Sequence, residues 1–337
     1  MKFKILVIGL GSMGKRRIRN LLKLGYKNII GFDLREDRCL ESQKEYGITT
    51  FSDFSLAITQ LPNIFIISTP PHLHEKYINY AIKNNISFFS ELNLFSNVVK
   101  KSIKKINNVP ITACSSSTMR FHPVVKKLKN ILDKKIIGDV FLINHQVGHY
   151  LPNWHPWEDY HNFFVSRKDT GGAKELVPVE LNWLTYLFSD IESVVGNVTK
   201  ISNLDVNIDD IYQAILNFKN NISCTLTIDV FSKPSFKETK IIGEKGTILV
   251  NFQTGEIKIN KNKKWKIINV KINEVAKGYL GLTPPEKLYE DELNSFFKFL
   301  KNKNNTIFTL QNELKLLCVL DGIEKSSKNN KRIQIKY

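Results

Sequence analysis

The chain has 337 residues, of which 42% are hydrophobic and 24% are charged, the proportions of a folded globular protein rather than a disordered or fibrous one. Its net charge of +17 comes mostly from lysine in short stretches with asparagine, such as 261–264 and 329–332. No zinc-finger spacing, RNP-type aromatic strand or long basic helix accompanies this charge. We therefore expect solvated surface lysines and no nucleic-acid partner.

The N-terminal segment and the cysteines bear on the compartment. The apolar run 5–8 is broken at Gly9 and Gly11 and followed by three basic residues, which favours a buried strand over a signal peptide. No apolar run approaches the roughly 20 residues of a membrane helix. The four cysteines form no CxxC pair, which argues against a zinc ribbon and a disulfide framework. We expect a cytoplasmic protein with reduced thiols, no membrane partner and no metal.

The first third of the chain alternates between β-branched runs and amphipathic stretches of helical length. Strands are predicted at 3–8, 28–32, 64–68, 86–89 and 110–114, and helices near 12–25, 36–46, 73–85 and 97–107. Such alternation is typical of βαβ units with right-handed crossovers. The sequence therefore predicts an α/β Rossmann domain, a doubly wound parallel sheet, over residues 1–121.

Beyond residue 121 the pattern changes, and residues 122–337 are predicted to form a second, α+β domain. One helix opens at Pro123, a strand covers 136–150, a Trp-, His- and Pro-rich loop covers 151–168, and a helix runs from Thr170 to about Phe188. Short alternating segments then indicate a large, mostly antiparallel sheet with one buried face. They lie near 191–201, 209–218, 222–230, 238–243, 247–252, 256–260 and 264–270, and precede helices at 285–301 and 310–327 and a strand at 332–336.

The most specific motif is Gly9-Leu10-Gly11-Ser12-Met13-Gly14, a GxGxxG pattern between a buried strand and a helix. In this context the three glycines allow a tight turn, close approach of a pyrophosphate, and helix–sheet packing. Helix N-termini bind phosphate groups through backbone N–H groups. Asp33, at the end of the second strand, is placed to bind ribose hydroxyls and to repel a 2′-phosphate. NAD is therefore the expected cofactor, with NADP left open because Arg35 is near.

A second cluster, Ser68-Thr69-Pro70-Pro71-His72-Leu73-His74, follows another strand of the sheet. Ligands of open parallel sheets bind beyond the carboxyl ends of the strands, so Ser68 and Thr69 are expected to offer hydroxyls to the cofactor. His74 has two readings, a cofactor contact or a structural cap of the next helix. The predicted cofactor-binding residues are Gly9, Gly11, Ser12, Met13, Gly14, Asp33, Ser68, Thr69, Pro70, His74 and Glu91.

Taken together, these motifs resemble those of the Gfo/Idh/MocA family, the oxidoreductases related to glucose–fructose oxidoreductase and inositol dehydrogenase. The resemblance rests on GLGSMG, Asp33, STPPxxH, Glu91 at the end of the fifth strand, and Arg120-Phe121-His122-Pro123. It implies a Rossmann domain, a nicotinamide cofactor, and a sugar or cyclitol that exchanges a hydride. It also implies a homodimer or homotetramer that pairs through the sheet of the second domain.

The sequence departs from this family at three customary catalytic positions. The family's Glu-Lys-Pro motif reads Glu91-Leu92-Asn93, so the lysine that usually assists proton transfer is missing. The second-domain pattern GGGxxxDxxxH, aligned on residues 170–172, puts Leu176 at the aspartate and Pro178 or Val179 near the histidine. These losses leave two hypotheses open: a dehydrogenase with other catalytic groups, or a nucleotide-binding regulatory or degenerate member without dehydrogenase activity.

If the protein is an enzyme, Glu180 and His155 are the predicted catalytic residues. Glu180 is four residues beyond Leu176 and so shares its helix face. His155 lies in an aromatic loop whose rings and carboxylates suit a sugar, and histidine titrates near neutral pH. The leading hypothesis is an NAD(P)-dependent oxidoreductase acting on the hydroxyl or ketone of a sugar or sugar derivative. Bacterial surface-sugar biosynthesis is the pathway we expect.

Overall fold

The computed structural model describes residues 3–155, 158–272, 285–303 and 306–337, and the chain divides into two compact units. The first unit consists of Met1–Thr118 and Glu286–Leu314, and the second of Met119–Pro285 and Lys315–Tyr337. The sequence predicts a single boundary, with every residue after 121 in the second domain. The structure differs from this prediction, because the late segment Glu286–Leu314 belongs to the first unit.

Residues 5–115 alternate between strands and helices, as the periodicity predicts. The strands are β1 (Ile5–Ile8), β2 (Ile29–Phe32), β3 (Thr49–Phe51), β4 (Ile64–Ile67), β5 (Ser87–Ser90) and β6 (Ala113–Ser115). The helices are α1 (Ser12–Lys23), α2 (Glu36–Tyr46), α3 (Phe54–Thr59), α4 (His74–Lys83) and α5 (Ser96–Ile106). The sequence analysis missed β3 and α3, which are too short to show a clear period.

The second unit begins with a helix and is dominated by strands. Its first helices are α6 (Pro123–Asp133) and α7 (Ala173–Leu187). Its strands are β7 (Val140–Tyr150), β8 (Ile191–Thr199), β9 (Ile211–Phe218), β10 (Ser223–Asp229), β11 (Phe231–Gly243), β12 (Gly246–Asn251), β13 (Glu256–Lys261) and β14 (Lys264–Asn269). The chain ends with α8 (Glu286–Asn302), α9 (Leu310–Asn329) and β15 (Ile333–Gln334).

The first unit is built on a six-stranded sheet in the order β3-β2-β1-β4-β5-β6, in which all neighbouring strands are parallel. All four residues of β1, β2 and β4 are buried, because helices cover both faces of a doubly wound sheet. Helix α8 adds Leu293, Phe296 and Phe297 to the same core as Ile5 and Val7. This strand order reverses between β1 and β4, and ligands of such sheets bind at that reversal.

The second unit contains a nine-stranded sheet in the order β14-β13-β12-β11-β7-β10-β9-β8-β15. Neighbouring strands are antiparallel except for β10 and β7. One face is buried and carries His145, Val147 and Thr239, while Gln146 and Glu238, one position along on the same strands, are exposed. The predicted fold class, a Rossmann domain plus an α+β domain with a large antiparallel sheet, is confirmed.

Among the described residues, no helix has the length and apolar character needed to cross a membrane. The four cysteines are free thiols, and three of them, Cys39, Cys114 and Cys224, are buried. Burial raises the pKa of the Cys224 and Cys114 thiols, so these groups stay protonated at neutral pH.

Candidate cofactor and substrate sites

The glycine turn after β1 has a shape that only glycine permits. Gly9 adopts a φ of +88°, and a Cβ there would lie 2.8 Å from the carbonyl oxygen of Ser68. A Cβ on Gly14 would lie 1.7 Å from the carbonyl oxygen of Gly9. These two glycines therefore shape the turn itself and bring α1 close to the sheet.

Gly11 differs from these two because its surroundings are open. It is the N-cap of α1, with a φ of −69° that any residue adopts and no side-chain cap on the helix. A Cβ built there would meet only the Arg38 guanidinium, at 3.2 Å. The open space lies at a helix N-terminus, where backbone N–H groups favour an anion. This geometry fits the pyrophosphate of a dinucleotide.

Asp33 fastens the end of β2 to the glycine turn. Its Oδ2 accepts a hydrogen bond from the Leu10 backbone N–H at 2.7 Å, and its Oδ1 accepts one from the Arg35 backbone N–H at 2.9 Å. The side chain of Arg35 pairs with Asp37, whereas Arg38 lies 3.8 Å from Asp33 and beside Gly11. The arginine that faces this part of the turn is therefore Arg38 and not Arg35.

Two hydroxyls after β4 are buried without a partner. The Oγ atom of Ser68 and the Oγ1 atom of Thr69 have no hydrogen-bond partner in the described part of the chain. A buried hydroxyl without a partner carries a desolvation cost that a bound ligand removes. Together with the glycine turn and Asp33, these two groups fit a dinucleotide, which when bound supplies a hydride acceptor or donor.

His74 is buried, and both of its ring nitrogens lie within hydrogen-bond distance of protein atoms. Its Nε2 lies 2.7 Å from the carbonyl oxygen of Thr69, and its Nδ1 lies 3.0 Å from Oδ1 of Asn93. The Asn93 amide in turn donates to Glu313, which also accepts from the Ser115 hydroxyl at 2.6 Å. The ring therefore holds the Thr69 loop, which favours a structural role for His74 over direct contact with the cofactor.

Glu91 is held by a buried arginine. Its two carboxylate oxygens accept hydrogen bonds from Arg17 at 2.7 and 3.0 Å, and Arg17 also lies 2.9 Å from Glu292 of α8. Burial lowers the pKa of Arg17, but the two carboxylates outweigh it and raise the pKa overall. The guanidinium stacks over the Phe89 ring, 4.6 Å from its centroid. This network locks the end of β5 to α1 and α8.

In the second unit, α7 places Glu180 against the buried face of the sheet. Its Oε1 lies 2.8 Å from Nζ of Lys237 on β11, and its Oε2 accepts a hydrogen bond from the Trp183 indole at 2.7 Å. Nε2 of His145 lies 2.9 Å from the same Oε2. Glu180 is 2% exposed and Lys237 is 7% exposed. Four polar side chains from three elements thus meet in one buried cluster.

Burial and charge pairing act in opposite directions on the pKa values of this cluster. Burial acts to raise the pKa of Glu180, but Lys237 and His145 hold it well below its usual range. Burial lowers the pKa of Lys237, and the Glu180 carboxylate limits that fall. Two neighbouring imidazoles are neutral, since burial and Lys237 lower the pKa of His122 to about 3 and that of His149 to about 4. Burial thus pushes Lys237 toward its neutral form, while the Glu180 carboxylate favours its ammonium form.

His155 occupies a different environment in the loop after β7. Its ring packs on Phe163, with centroids 4.6 Å apart, and its Nδ1 lies 3.7 Å from Glu158. The neighbouring Trp154 stacks on His149 at a centroid distance of 5.4 Å. Trp157, in the aromatic loop predicted to suit a sugar, lies outside the described residues. Within the described ranges, no three side chains of the His, Cys, Asp or Glu type come together as metal ligands.

Comparison with known families accounts for both units. Residues 3–98 match the model of an oxidoreductase family with an NAD-binding Rossmann fold, and residues 125–249 match that of the GFO/IDH/MocA C-terminal domain. The chain belongs to the Gfo/Idh/MocA family. It is thus an NAD(P)-dependent oxidoreductase by family, with the NAD-binding Rossmann domain that the glycine turn predicts.

Individual relatives of this family member are distant in sequence. The chain is 25% identical over 236 residues to "Oxidoreductase P35" of Formosa agariphila, which covers 67% of this chain and 72% of the relative. A solved oxidoreductase from Agrobacterium radiobacter, in complex with NAD+, L-tartaric acid and magnesium, has a TM-score of 0.86 at 14% identity, covering 99% of each chain. Levoglucosan dehydrogenase, in complex with NADH and levoglucosan, has a TM-score of 0.85 at 14% identity, covering all of both chains.

Counting along the family's second-domain pattern corrects its alignment. Four residues on from Leu176, the pattern's histidine falls on Glu180 rather than on Pro178 or Val179. Lys237, the partner of Glu180, was missed by the sequence analysis. It lies 57 residues further along the chain, and only the register of β11 with β7 brings it beside His145 and α7.

Proposed function

We propose that the protein transfers a hydride between NAD(H) and a hydroxyl-bearing or carbonyl carbon of a sugar or sugar derivative. Family membership supplies the oxidoreductase class, and a solved neighbour of the same fold carries the name levoglucosan dehydrogenase. The observation that carries the proposal is the buried Glu180–Lys237 pair in the second unit. Buried ion pairs with shifted pKa values concentrate at catalytic sites, which favours the enzyme over a nucleotide-binding protein without chemistry.

Oxidation of a secondary alcohol removes a hydride from carbon and a proton from oxygen. A nicotinamide cofactor, when bound, would supply the hydride acceptor, so the protein must supply a group that accepts the proton. A lysine whose pKa is lowered by burial serves this purpose, because it gives up and takes back a proton more readily than an exposed lysine does. In the reverse direction the ammonium form returns the proton to the developing alkoxide. Lys237 is the candidate for this step.

Glu180, which the sequence predicts to be a catalytic base, is a weak candidate for that role. A carboxylate whose pKa is held well below its usual range binds a proton too poorly to act as a base near neutral pH. Its contacts with Lys237, His145 and Trp183 support a role in positioning the lysine and stabilising its charged form. His155 stays a proposed substrate contact, beside the stacked rings of Trp154 and His149.

The outer face of the nine-stranded sheet supports a homo-oligomer. Ile267 and Ile215 lie on the same face of the sheet, because residues paired across neighbouring strands share a face. The pairs that connect them run from Ile267 through Lys258, Leu249, Lys240, Asn144 and Thr225 to Ile215. Ile215, Trp265 and Ile267 are exposed there. Such apolar groups on an uncovered face suit a second copy of the chain. Sedimentation of the wild type and of an Ile215→Lys variant tests this, with a shift to the monomer expected for the variant.

The protein is further proposed to work in the cytoplasm, in the making of bacterial surface sugars. The test of the whole proposal begins with titration of the protein with NADH and NAD+. A panel of levoglucosan, L-sorbose, inositols and sugar nucleotides is then screened for cofactor turnover. Turnover with a member of the panel supports the proposal. Firm NADH binding without turnover of any member would favour the regulatory alternative instead.

A further inference from the structure

A buried chain of hydrogen bonds runs through the first unit from α9 to the loop after β4. It consists of Glu313, Asn93, His74 and the carbonyl group of Thr69. Glu313 and His74 are 0% exposed, and Asn93 is 1% exposed. The last member, Thr69, carries one of the two unpartnered hydroxyls that fit the cofactor.

The chain depends on a residue that departs from the family pattern. Asn93 stands where the Glu-Lys-Pro motif has proline, and its backbone N–H donates to Oε1 of Glu313 at 2.7 Å. Proline has no N–H to donate and no side-chain amide. The asparagine thus supplies both the backbone and the side-chain contacts that join Glu313 to His74.

This hydrogen-bond chain can be completed only with one proton more than its groups carry at high pH, when Glu313 is ionised and His74 is neutral. The Thr69 carbonyl accepts, so Nε2 of His74 must carry a hydrogen, at 2.7 Å. A neutral ring then leaves a lone pair on Nδ1, which faces the amide of Asn93 at 3.0 Å. If Asn93 directs its oxygen at this lone pair and its NH2 at an ionised Glu313, two acceptors face each other.

Two arrangements remove this conflict, and both contain the same extra proton. In the first, His74 carries a hydrogen on each nitrogen and Glu313 is ionised. In the second, the Asn93 amide is reversed, so that its NH2 donates to a neutral His74 and its oxygen accepts from a protonated Glu313. Burial favours the second, because it raises the pKa of Glu313 to about 7 and lowers that of His74.

The contacts of Glu313 suit the protonated form. Its Oε1 accepts from the Asn93 backbone N–H and from the Ser115 hydroxyl, at 2.7 and 2.6 Å. Its Oε2 faces the Asn93 side chain at 3.0 Å, where a hydroxyl group would donate to the reversed amide. One oxygen is therefore a double acceptor and the other is placed to carry the proton.

We propose that Glu313, Asn93 and His74 are positioning residues for the cofactor, and that one shared proton on this chain holds the Thr69 loop in its binding conformation. This inference rests on the proposed NAD(H) binding. Loss of the proton leaves two facing acceptors, either at Asn93 or at the Thr69 carbonyl. The loop is then held by one hydrogen bond fewer, and NADH binds more weakly.

Other titratable groups surround the hydrogen-bond chain from Glu313 to Thr69. They are Cys114 on β6, Glu292 on α8, Arg17 on α1, and Glu91 and His72 beside His74. Arg17 stays charged and pairs with Glu91, and burial keeps Cys114 protonated. Burial also raises the pKa of Glu292. A variant of Glu313 itself is therefore needed to assign the proton.

Glu313→Gln gives the sharpest test, because glutamine reproduces the protonated acid. Its carbonyl oxygen accepts from Asn93 and Ser115, and its NH2 donates to the reversed amide at every pH. The dissociation constant of NADH is measured by fluorescence titration, from about one unit below to two units above the Glu313 pKa of about 7. For the wild type we expect it to rise by about three- to tenfold with pH, as for one lost hydrogen bond.

For Glu313→Gln we expect a constant affinity equal to that of the wild type at low pH. Asn93→Ala, which separates His74 from Glu313, should also remove the pH dependence and serves if the glutamine variant fails to fold. Glu290→Gln, a carboxyl on α8 that pairs with Lys23 and Lys287, is the control and should keep the wild-type slope.

A wild-type affinity that does not change with pH would overturn the proposal, as would a slope that persists in both Glu313→Gln and Asn93→Ala. Absence of NADH binding by the wild type at every pH is a different result. It would overturn the proposed function, and the inference would fall with it.

Discussion

Two buried glutamates, one in each unit, have opposite proton affinities. Glu313 is surrounded by neutral donors from Asn93 and Ser115, and burial raises its pKa to about 7. Glu180 is equally buried but lies 2.8 Å from the Lys237 ammonium, and its pKa is held well below the usual range. Because these two carboxyls are buried to nearly the same extent, the difference between their pKa values comes from their partners.

The two sites also differ in what their groups are free to do. In the first unit, Leu92-Asn93 replaces a proton-transfer lysine, and the polar chain that results ends on a backbone carbonyl. In the second unit, the ion pair leaves a lysine with further N–H groups beyond the one that meets Glu180. We therefore assign positioning to the first site and proton transfer to the second.

The largest expected effect is on proton transfer. Lys237→Met should lower kcat by about 10²–10⁴-fold, the usual contribution of a general acid–base group, with NADH affinity unchanged. It should also cost stability, about 3–5 kcal/mol, because Glu180 is left buried without its cation. Rate assays and urea unfolding separate these two losses.

A paired variant and a control complete that experiment. Adding Glu180→Gln to Lys237→Met should restore stability without restoring kcat, since the buried charge is removed and the lysine is still absent. Lys127→Met, at an exposed position of α6, should change neither. Full activity of Lys237→Met would show that the proton leaves by another group.

The next largest effect concerns two glycines of the same turn. Gly11→Val should weaken NADH binding by about 100-fold with little change in melting temperature, because the side chain fills open space at the helix N-terminus. Gly14→Ala should instead lower the melting temperature, since its Cβ would meet the Gly9 carbonyl oxygen at 1.7 Å. Equal NADH affinity in Gly11→Val and wild type would remove the pyrophosphate assignment.

The two glutamates should give opposite pH dependence of stability. The low pKa of Glu180 contributes stability that is present above its usual value of 4.5 and is lost as pH falls further. The raised pKa of Glu313 makes stability fall as pH rises between 4.5 and about 7, by about 1.4 kcal/mol per pH unit at most. Urea unfolding of Glu313→Gln and Glu180→Gln across this range should remove each slope separately. Parallel curves for both variants and the wild type would contradict the comparison.

The smallest expected effect is on cofactor choice. Asp33 should favour NAD(H) over NADP(H), and Asp33→Ser should narrow that preference severalfold, since a carboxylate repels the 2′-phosphate. Arg38→Ala should widen the preference for NAD(H), because Arg38 lies beside Gly11 and Asp33. Arg35→Ala should have no effect, since Arg35 pairs with Asp37. A shift in Arg35→Ala alone would reverse this assignment.

The sequence predicts what is local in the chain and misses what folding joins. The glycine turn, Asp33 and the hydroxyls of Ser68 and Thr69 lie at the ends of consecutive strands, so spacing alone locates them. Lys237 lies 57 residues along the chain from its partner Glu180, and Glu313 lies 220 residues from its partner Asn93. A lone lysine in a strand and a glutamate at a helix start carry no pattern that distinguishes them from surface charges.

The departures from the family pattern were visible, but their meaning was not. Leu92, Leu176 and Glu180 could be read as the loss of catalytic groups. The structure brings Lys237 to Glu180 and His145, which turns an apparent loss into a buried ion pair. Had the sequence of β11 been placed in register with β7, the lysine would have been found.

Hydride transfer assisted by Lys237 is tested most directly with NADH that carries deuterium at the transferable position. The protein is incubated with this cofactor and a mixture of keto-sugars that includes L-sorbose, and the masses of the products are measured by mass spectrometry. We expect the wild type to give a sugar alcohol that has gained one deuterium, and Lys237→Met to give very little of it. Saturated NADH binding with no deuterium in any product would contradict it.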